Sequence, residues 1–396
     1  MWWVILAGGL GGFENVLMWV AILFLFSILS LLFTPQLISI QARLGIREAA
    51  KILRNLKEWA DESRRISLNT LSKYGRPKRD FEKQFDSFLE FFTIEPVSDD
   101  PVGVIQRLDH LLDVRKKRFE GMISSLAPKA DPETSASLEM VAEAAMASNF
   151  LYRLVRHYIL LAEKTKSYQL AMLIQMQAPL LKEYGKAYFE ATKVFAENKP
   201  IGDGAGPLVV AKLGQGSKWK EGVEEMVYAE KELEGRKLIL IKARGPGGRV
   251  GKPGEMVEWL VRKKKPARIL MIDAALKLEG EKSGEVIEGV GAAIGGPPTE
   301  KYKIEQIAVK HKIPLDAIII KESFREAITS LNSRIAEACD RAVKLVEEAV
   351  RTRTKPGDVV IVAGIGNTIG IGQEEVPTEF PPPVEERGAI ESGRLF

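Results

Sequence analysis

Four short, almost uniformly apolar runs in the second half of the chain constrain its fold more than any other feature. They are KLILIK (237–242), RILMI (268–272), AIIIK (317–321) and DVVIVA (358–363). Amphipathic stretches near 218–233, 254–264, 300–311 and 324–352 separate them and are interpreted as helices. Apolar strands that alternate with helices are typical of a mainly parallel sheet covered on both faces. We therefore predict an α/β sandwich over residues 200–373.

Two aspartates stand where such a sheet places its ligand site, outside the carboxyl ends of its strands. Asp273 directly follows the strand RILMI, and Asp203 lies in the loop IGDGAGPL, before a helix predicted to begin near Pro207. Two carboxylates in one pocket cannot both ionise cheaply, so one keeps a proton and an acid stands beside a base. Plainer roles stay open: Asp203 as a helix cap, and Asp273 as a strand-end carboxylate bonded to backbone N–H groups.

The same predicted edge is rich in glycine, which allows a ligand to approach the backbone closely. The candidate ligand-binding residues are Gly202, Gly204, Gly206, Gly364, Gly366 and Asn367. Two nucleotide-binding patterns are incomplete. GIGNTIGIG spaces its glycines as GxGxxxG, and RGPGGRVGKPG has Pro246 and Pro253 where a P-loop needs Gly and Ser or Thr. The sequence therefore predicts no nucleotide loop and no cofactor.

An uncharged apolar run of 18 residues, VLMWVAILFLFSILSLLF, occupies Val16–Phe33. At about 1.5 Å per residue it nearly crosses a hydrocarbon core of about 30 Å. No Lys or Arg precedes it, whereas seven lie between Arg43 and Arg65, and basic residues stay on the cytoplasmic side. We therefore predict a short extracytoplasmic N-terminus over 1–15, a transmembrane helix over 16–34, and a single-pass protein of the cell membrane with its C-terminal domain in the cytoplasm.

The remaining segments carry weaker signals. Residues 41–198 show helical periodicity and little strand pattern, which predicts a helical middle region. Residues 374–396 are rich in proline without periodicity, which predicts a disordered tail.

Composition narrows the classes of partner. The net charge of +4 is small for 396 residues, and the densest basic cluster, RKKK at 262–265, has no interleaved aromatic residues, so no nucleic-acid partner is predicted. The single cysteine, Cys339, excludes an internal disulfide. The three histidines are far apart in sequence, so no metal site is predicted. No motif specifies a substrate or an oligomeric state.

Two resemblances follow from these residues. Over its full length the chain resembles an uncharacterised archaeal membrane-protein family, domain of unknown function 1512, which implies a membrane anchor and no activity. The segments ARGPGGRVGKPGEMVEWLVRKKKPARILMIDAALKLEGE, KIPLDAIIIKESFREAIT and DGAGPLVVAKL resemble the spore germination protease and, more distantly, the hydrogenase maturation proteases. That resemblance implies a germination-protease or phosphorylase-like sandwich with acidic residues at Asp203 and Asp273.

The order of the segments differs from that protease family. There a strand ending in Gly-x-Gly-Asn precedes the aspartate loop, whereas here DVVIVAGIGN (358–367) stands near the C-terminus. We interpret this difference as a circular permutation, which a domain tolerates when its ends lie close together. It predicts that strand 358–363 inserts beside strand 268–272 and brings Gly366 and Asn367 near Asp203.

Three functions stay open from the sequence. The first is a membrane-tethered peptidase that acts on a peptide or protein through Asp203 and Asp273. The second is a non-catalytic ligand-binding or scaffold module at the membrane surface, whose glycine-rich edge offers N–H groups to an anion. The third is a metal-dependent hydrolase that adds Glu279 or Glu281 to the two aspartates.

Overall fold

The computed structural model describes residues 23–25, 45–75, 81–94, 103–296 and 298–383. The described residues belong to two compact units. The first draws on Met1–Lys57 and Leu151–Lys182, and the second on Glu58–Phe150 and Glu183–Phe396. The second unit contains the sheet and every candidate site residue.

Parts of three helices make up the described core of the first unit. They are the beginning of α1, described over 45–74, the end of α4 (Pro132–Thr165) and the beginning of α5 (Tyr168–Ala196). Small and branched side chains are buried in them, including Ala49, Val155, Ala162, Ala171 and Ala178. Pro179 lies inside α5, which continues on both sides of it.

Helices also supply the N-terminal part of the second unit. This part contains the remainder of α1, then α2 (Phe81–Leu89) and α3 (Val104–Leu126), and then the start of α4. Their core is aromatic: the rings of Phe88 and Phe119 meet edge to face, with centroids 4.8 Å apart. Every element described between residues 45 and 196 is helical, as the periodicity predicts.

Seven strands form one sheet in the order β1-β2-β3-β7-β4-β6-β5. Their bounds are β1 Trp219–Glu221, β2 Met226–Leu233, β3 Arg236–Ala243, β4 Arg268–Leu276, β5 Val286–Val290, β6 Leu315–Glu322 and β7 Val359–Gly364. The four central strands run parallel, whereas β1, β2 and β5 pair antiparallel at the two edges. The four runs predicted as strands are these four central strands.

Helices cover both faces of the sheet, because the central strands are buried on both sides. One face packs against α6 (Ala205–Leu213) and α10 (Ser333–Arg353). The other packs against α7 (Pro253–Lys264) and α8 (Pro298–His311). A short helix, α9 (Phe324–Ile328), follows β6.

Two predictions about the sheet have opposite outcomes. Strand β7 lies between β3 and β4, so the predicted insertion of 358–363 beside 268–272 is confirmed. The amphipathic segment 218–233, interpreted as helical, instead contains β1 and β2. The sequence of β2, MVYAEKEL, has an apolar half and a charged half, and this mixture resembles that of a surface helix. The segment is a strand because it pairs antiparallel with β3.

The predicted transmembrane helix is corrected. Among the helices of the described residues, none combines the length and the apolar character that crossing a bilayer requires. Of Val16–Phe33 only residues 23–25 are described, as helical, and the rest of that run lies outside the described residues, as does the predicted N-terminus at 1–15. The described fold is α plus α/β without a spanning helix, so the single-pass anchor and the membrane localisation derived from it are not retained.

The beginning of the predicted tail contacts the sheet domain. Val376 and Phe380 pack against the core on the α6 face, and the N–H of Ser333 donates to the carbonyl of Pro381 at 2.8 Å. Residues 384–396 lie outside the described residues.

Candidate functional site

The entry into α6 brings the Asp203 loop onto the carboxyl ends of β4 and β7. A 3-10 turn, Gly202–Gly204, leads directly into this helix. A Cβ atom on Gly206 would lie 2.2 Å from the carbonyl oxygen of Ile365 and 2.4 Å from that of Ile272. Because such distances are impossible for a real Cβ, glycine permits this approach and so fixes where Asp203 lies.

Asp203 does not cap α6. The N-cap residue is Gly204, and no side chain bonds the first N–H groups of the helix. Instead Oδ2 of Asp203 accepts a hydrogen bond of 2.9 Å from the backbone N–H of Asn367. Burial raises the pKa of Asp203, and the Asn367 hydrogen bond opposes that rise. The residue as a whole is half-buried, so it keeps contact with solvent while most of its carboxylate is surrounded by protein.

Asp273 is 5% exposed at the carboxyl end of β4. Its two oxygens accept hydrogen bonds of 2.8 Å from the backbone N–H groups of Ala274 and Gly295. Burial, followed by the negative charge of Asp203, raises the pKa of Asp273 to about 8 against the opposing effect of these two bonds. The contacts of Asp273 therefore agree with the plainer role, that of a strand-end carboxylate bonded to backbone N–H groups. Its protonation is also coupled to that of Asp203.

A third acid, Glu322, was not singled out from the sequence. It ends β6, is 1% exposed, and its Oε2 atom has no hydrogen-bond partner among the residues that the structure describes. That oxygen lies against Gly202, only 2.2 Å from where a Cβ would stand. Burial raises the pKa of Glu322 well above its usual value, and the charges of Asp203, Glu326 and Asp273 raise it further. The sequence contains a signal for this residue, because Glu322 follows the apolar run AIIIK in the same way that Asp273 follows RILMI.

Glu326 shows what hydrogen bonding does to an acid in the same neighbourhood. Burial would raise its pKa, but hydrogen bonds from Ser283, Ser323 and Asn332 together lower it. Glu326 also completes a capping box with Ser323 at the start of α9. It is therefore held ionised, and its negative charge disfavours ionisation of Glu322.

The predicted ligand-binding loop 364–367 lies beside Asp203. A Cβ atom on Gly366, whose φ is +126°, would lie 1.9 Å from the carbonyl oxygen of Asp203. A Cβ atom on Gly364 would lie 2.4 Å from the carbonyl oxygen of Gly206. The Asn367 side chain accepts from the N–H of Ile369 at 2.9 Å. The glycines thus let two backbone segments touch, and the Asn367 N–H is already donated to Asp203.

The acids predicted for a metal-dependent hydrolase do not come together as a metal site. Within the described ranges no group of three or more His, Cys, Asp or Glu side chains is arranged to hold a metal ion. The carboxylate of Glu281 accepts from Lys321, at 2.6 Å, and from the N–H of Leu278.

Comparisons with known proteins match most of the chain to one family. Residues 18–198 match the N-terminal domain described as "Protein of unknown function (DUF1512)", and residues 201–372 match the C-terminal domain described as "Domain of unknown function (DUF1512)". No curated protein matches the chain. The descriptions of these two domains name no activity, so the resemblance to the germination protease stays a prediction. Since the two matches together extend over nearly all of residues 18–372, the chain belongs to the DUF1512 family.

Proposed function

We propose that this protein is a peptidase that uses Asp203 and Asp273 as a carboxyl pair. The observation that supports it best is the electrostatic link between these two residues, because the charge of Asp203 raises the pKa of buried Asp273. Geometry supports the same link, because Gly206 of the Asp203 loop packs against the carbonyl oxygen of Ile272, the residue before Asp273. A shared, poorly solvated region is the condition under which a carboxyl pair holds a proton between them.

The surroundings of the two groups suggest their roles. Asp273, with a pKa of about 8, keeps its proton at neutral pH and is assigned as the general acid. Asp203 is more exposed and accepts the Asn367 N–H, which favours its ionised form, so it is assigned as the general base. Asp203 takes a proton from water while the water oxygen attacks the peptide carbonyl carbon, and Asp273 gives its proton to the carbonyl oxygen. In the tetrahedral diol that results, Asp203 gives its proton to the amide nitrogen and the C–N bond breaks. Asp273 takes back a hydroxyl proton as the new carboxylic acid forms, which restores both carboxyls to their starting states.

The alternative of a non-catalytic module that binds an anion is less well supported. Such a site needs free backbone N–H groups. The N–H groups of Gly202, Gly204, Asn367 and Gly370 are all donated within the protein, to Thr329, Ile201, Asp203 and Pro246 respectively. Glu326, whose lowered pKa keeps it ionised, also adds a negative charge near this edge and so disfavours a negatively charged ligand.

The test is cleavage of a mixed peptide library by the purified protein, followed by mass spectrometry of the new peptide termini. We expect the wild-type protein to cleave, and Asp203→Asn and Asp273→Asn each to lower the rate at least about 100-fold, the lower range for loss of an acid or base. Asp340→Asn is the matched control, because Asp340 is an exposed aspartate on α10 that pairs with Lys212.

Two results would contradict the proposal. If the wild-type protein cleaves no member of the library, the non-catalytic module becomes the better reading. If cleavage is unchanged in both aspartate variants, the protease activity does not reside in this pair.

A further inference from the structure

Lys242 is a fully buried lysine in the interior of the sheet domain. It lies near the end of β3, two residues beyond Leu240, and therefore on the face of the sheet that packs against α6 and α10. Its exposure is 0%. Lysine is almost never fully buried unless a carboxylate pairs with it, so its surroundings are informative.

The ammonium position of Lys242 has weak partners. Nζ lies 3.2 Å from the carbonyl oxygen of Ala243 and 3.5 Å from Oε1 of Gln373, and 5.8 Å from the ring centroid of Trp219. Among the ion pairs of the described residues, none includes Lys242. Burial lowers the pKa of Lys242 to about 7, with a smaller opposing effect from Glu133. The uncharged amine is therefore far more populated at neutral pH than in an ordinary lysine.

A cleft of about 700 Å³ is connected to this amine through Gln373, which lines the cleft and whose Oε1 lies 3.5 Å from Nζ of Lys242. Its lining includes apolar groups of Trp219, Val227, Pro246 and Val376. Gln373 also lines it, and its Oε1 accepts from the N–H of Gly245 as well as from Lys242. Gln373 is thus the side chain that contacts both the cleft and the buried amine.

We propose that the cleft binds a small aldehyde or ketone, which Lys242 captures as a Schiff base when Gln373 moves aside. A buried lysine amine without a carboxylate partner among the described residues, next to a cleft that also has apolar groups in its lining, favours nucleophilic attack on a carbonyl. The amine nitrogen forms a bond to the carbonyl carbon, and the resulting carbinolamine expels the former carbonyl oxygen as water, which takes both amine protons. The product is a C=N bond, and no oxidant or reductant takes part. This proposal is independent of the carboxyl pair.

Lys242 and the residues that line the cleft are less well suited to binding an anion. An anion would need a charged lysine, and the charged groups around the cleft are mainly acidic: Glu221, Glu374 and Glu375 line it with Lys220, while Glu133 acts from α4. These carboxylates repel an anion, and they leave an uncharged carbonyl compound unaffected. The apolar groups of Trp219, Val227 and Val376 in the lining can contact its carbon skeleton.

The test is reductive trapping on the full chain. Benzaldehyde is the probe, sodium cyanoborohydride reduces the imine to a stable amine, and peptide mapping by mass spectrometry measures the adduct at each lysine between pH 5.5 and 9.5. We expect Lys242 to react at least about tenfold faster than exposed Lys220 at pH 7, with a half-maximal rate near pH 7, since ordinary lysines titrate near 10.4.

Two variants sharpen the result. Gln373→Ala should raise the rate at Lys242 without changing that at Lys220, and adduct formation confined to Gln373→Ala would also support the proposal. Lys242→Met should abolish this adduct while circular dichroism stays unchanged. The proposal is overturned if Lys242 reacts no faster than Lys220 in both the wild-type protein and Gln373→Ala, a comparison that does not depend on the Lys242→Met variant folding.

Discussion

At the scale of single residues, Glu322 is the group whose ionisation opposes folding most directly. Its pKa is raised in the folded state, so the stability linked to it is complete below the unfolded value near 4.3 and declines as pH rises through the folded value. We expect Glu322→Gln to increase the free energy of unfolding at pH 8 by on the order of 1–3 kcal/mol, because glutamine carries no charge to bury.

The measurement is urea denaturation of both proteins at pH 4.5 and at pH 8. At pH 4.5 the wild-type carboxyl is protonated in the folded state and the two curves should differ little. Equal differences at the two pH values would mean that Glu322 does not titrate as its burial implies. Asp340→Asn, on the exposed side of α10, should show no comparable pH-dependent gain.

The sequence identified two of the three acids at the sheet edge because each aspartate stands next to an obvious marker. Asp273 ends an apolar run, and Asp203 is the single acid in a glycine loop. Glu322 and Lys242 were missed for the same reason, because the sequence around each is typical of a solvated charge. The neighbouring Lys321 makes Glu322 look like half of a solvated pair, while the strand KLILIK suggests that its last lysine marks a surface end. Burial of either charge depends on helices that are distant in sequence.

At the scale of elements, the contact of α6 with β4 and β7 is the tightest constraint on the site. We expect Gly206→Ala to destabilise the protein by several kcal/mol, more than a typical substitution. The added methyl group would meet carbonyl oxygens of Ile272 and Ile365, which are backbone atoms that cannot rotate away. Denaturant unfolding monitored by tryptophan fluorescence gives the difference.

Gly121→Ala provides the matched control. Gly121 lies in the exposed interior of α3, and a Cβ there meets nothing within 4 Å. Alanine should therefore stabilise the helix by roughly 0.5–1 kcal/mol. If the two substitutions changed stability equally, the close approach at Gly206 would not be limiting.

Elements were predicted well where one physical signal dominated. The four central strands are apolar at nearly every position because both faces are covered, and such runs are conspicuous. The edge hairpin β1–β2 was misread because a strand with one solvated face mixes charged and apolar residues, as a surface helix does. The short β5, in VIEGV, carries too few residues to show a period.

At the scale of the whole molecule, the last strand of the chain lies in the middle of the sheet. Strand β7 supplies a parallel partner to β3 on one side and to β4 on the other. We expect a chain that ends at Gly357 to lack cooperative unfolding, because both partners would lose their ladder. A chain that ends at Pro383 keeps β7 and the segment packed by Val376 and Phe380, and should unfold cooperatively. Thermal unfolding followed by circular dichroism distinguishes them.

A folded, cooperative chain ending at Gly357 would show instead that β3 and β4 pair directly. The insertion of β7 was predicted from the order of the segments, because DVVIVAGIGN carries both a buried strand and the loop that meets Asp203. The membrane anchor was predicted from the hydropathy and flanking charges of Val16–Phe33 and from the family resemblance. It is not retained, because none of the helices in the described part of the chain is both long and apolar enough for a membrane span.

The central position of β7 has a consequence for synthesis of the protein on the ribosome. The stretch from Leu276 to Gly364 must emerge after β4 before the sheet can close, a delay on the order of 10 s at ordinary elongation rates. During that interval the nascent chain presents two open strand edges, at β3 and β4, which invite pairing with other chains. We expect newly made protein to depend on a holdase during this window more than its final stability would suggest.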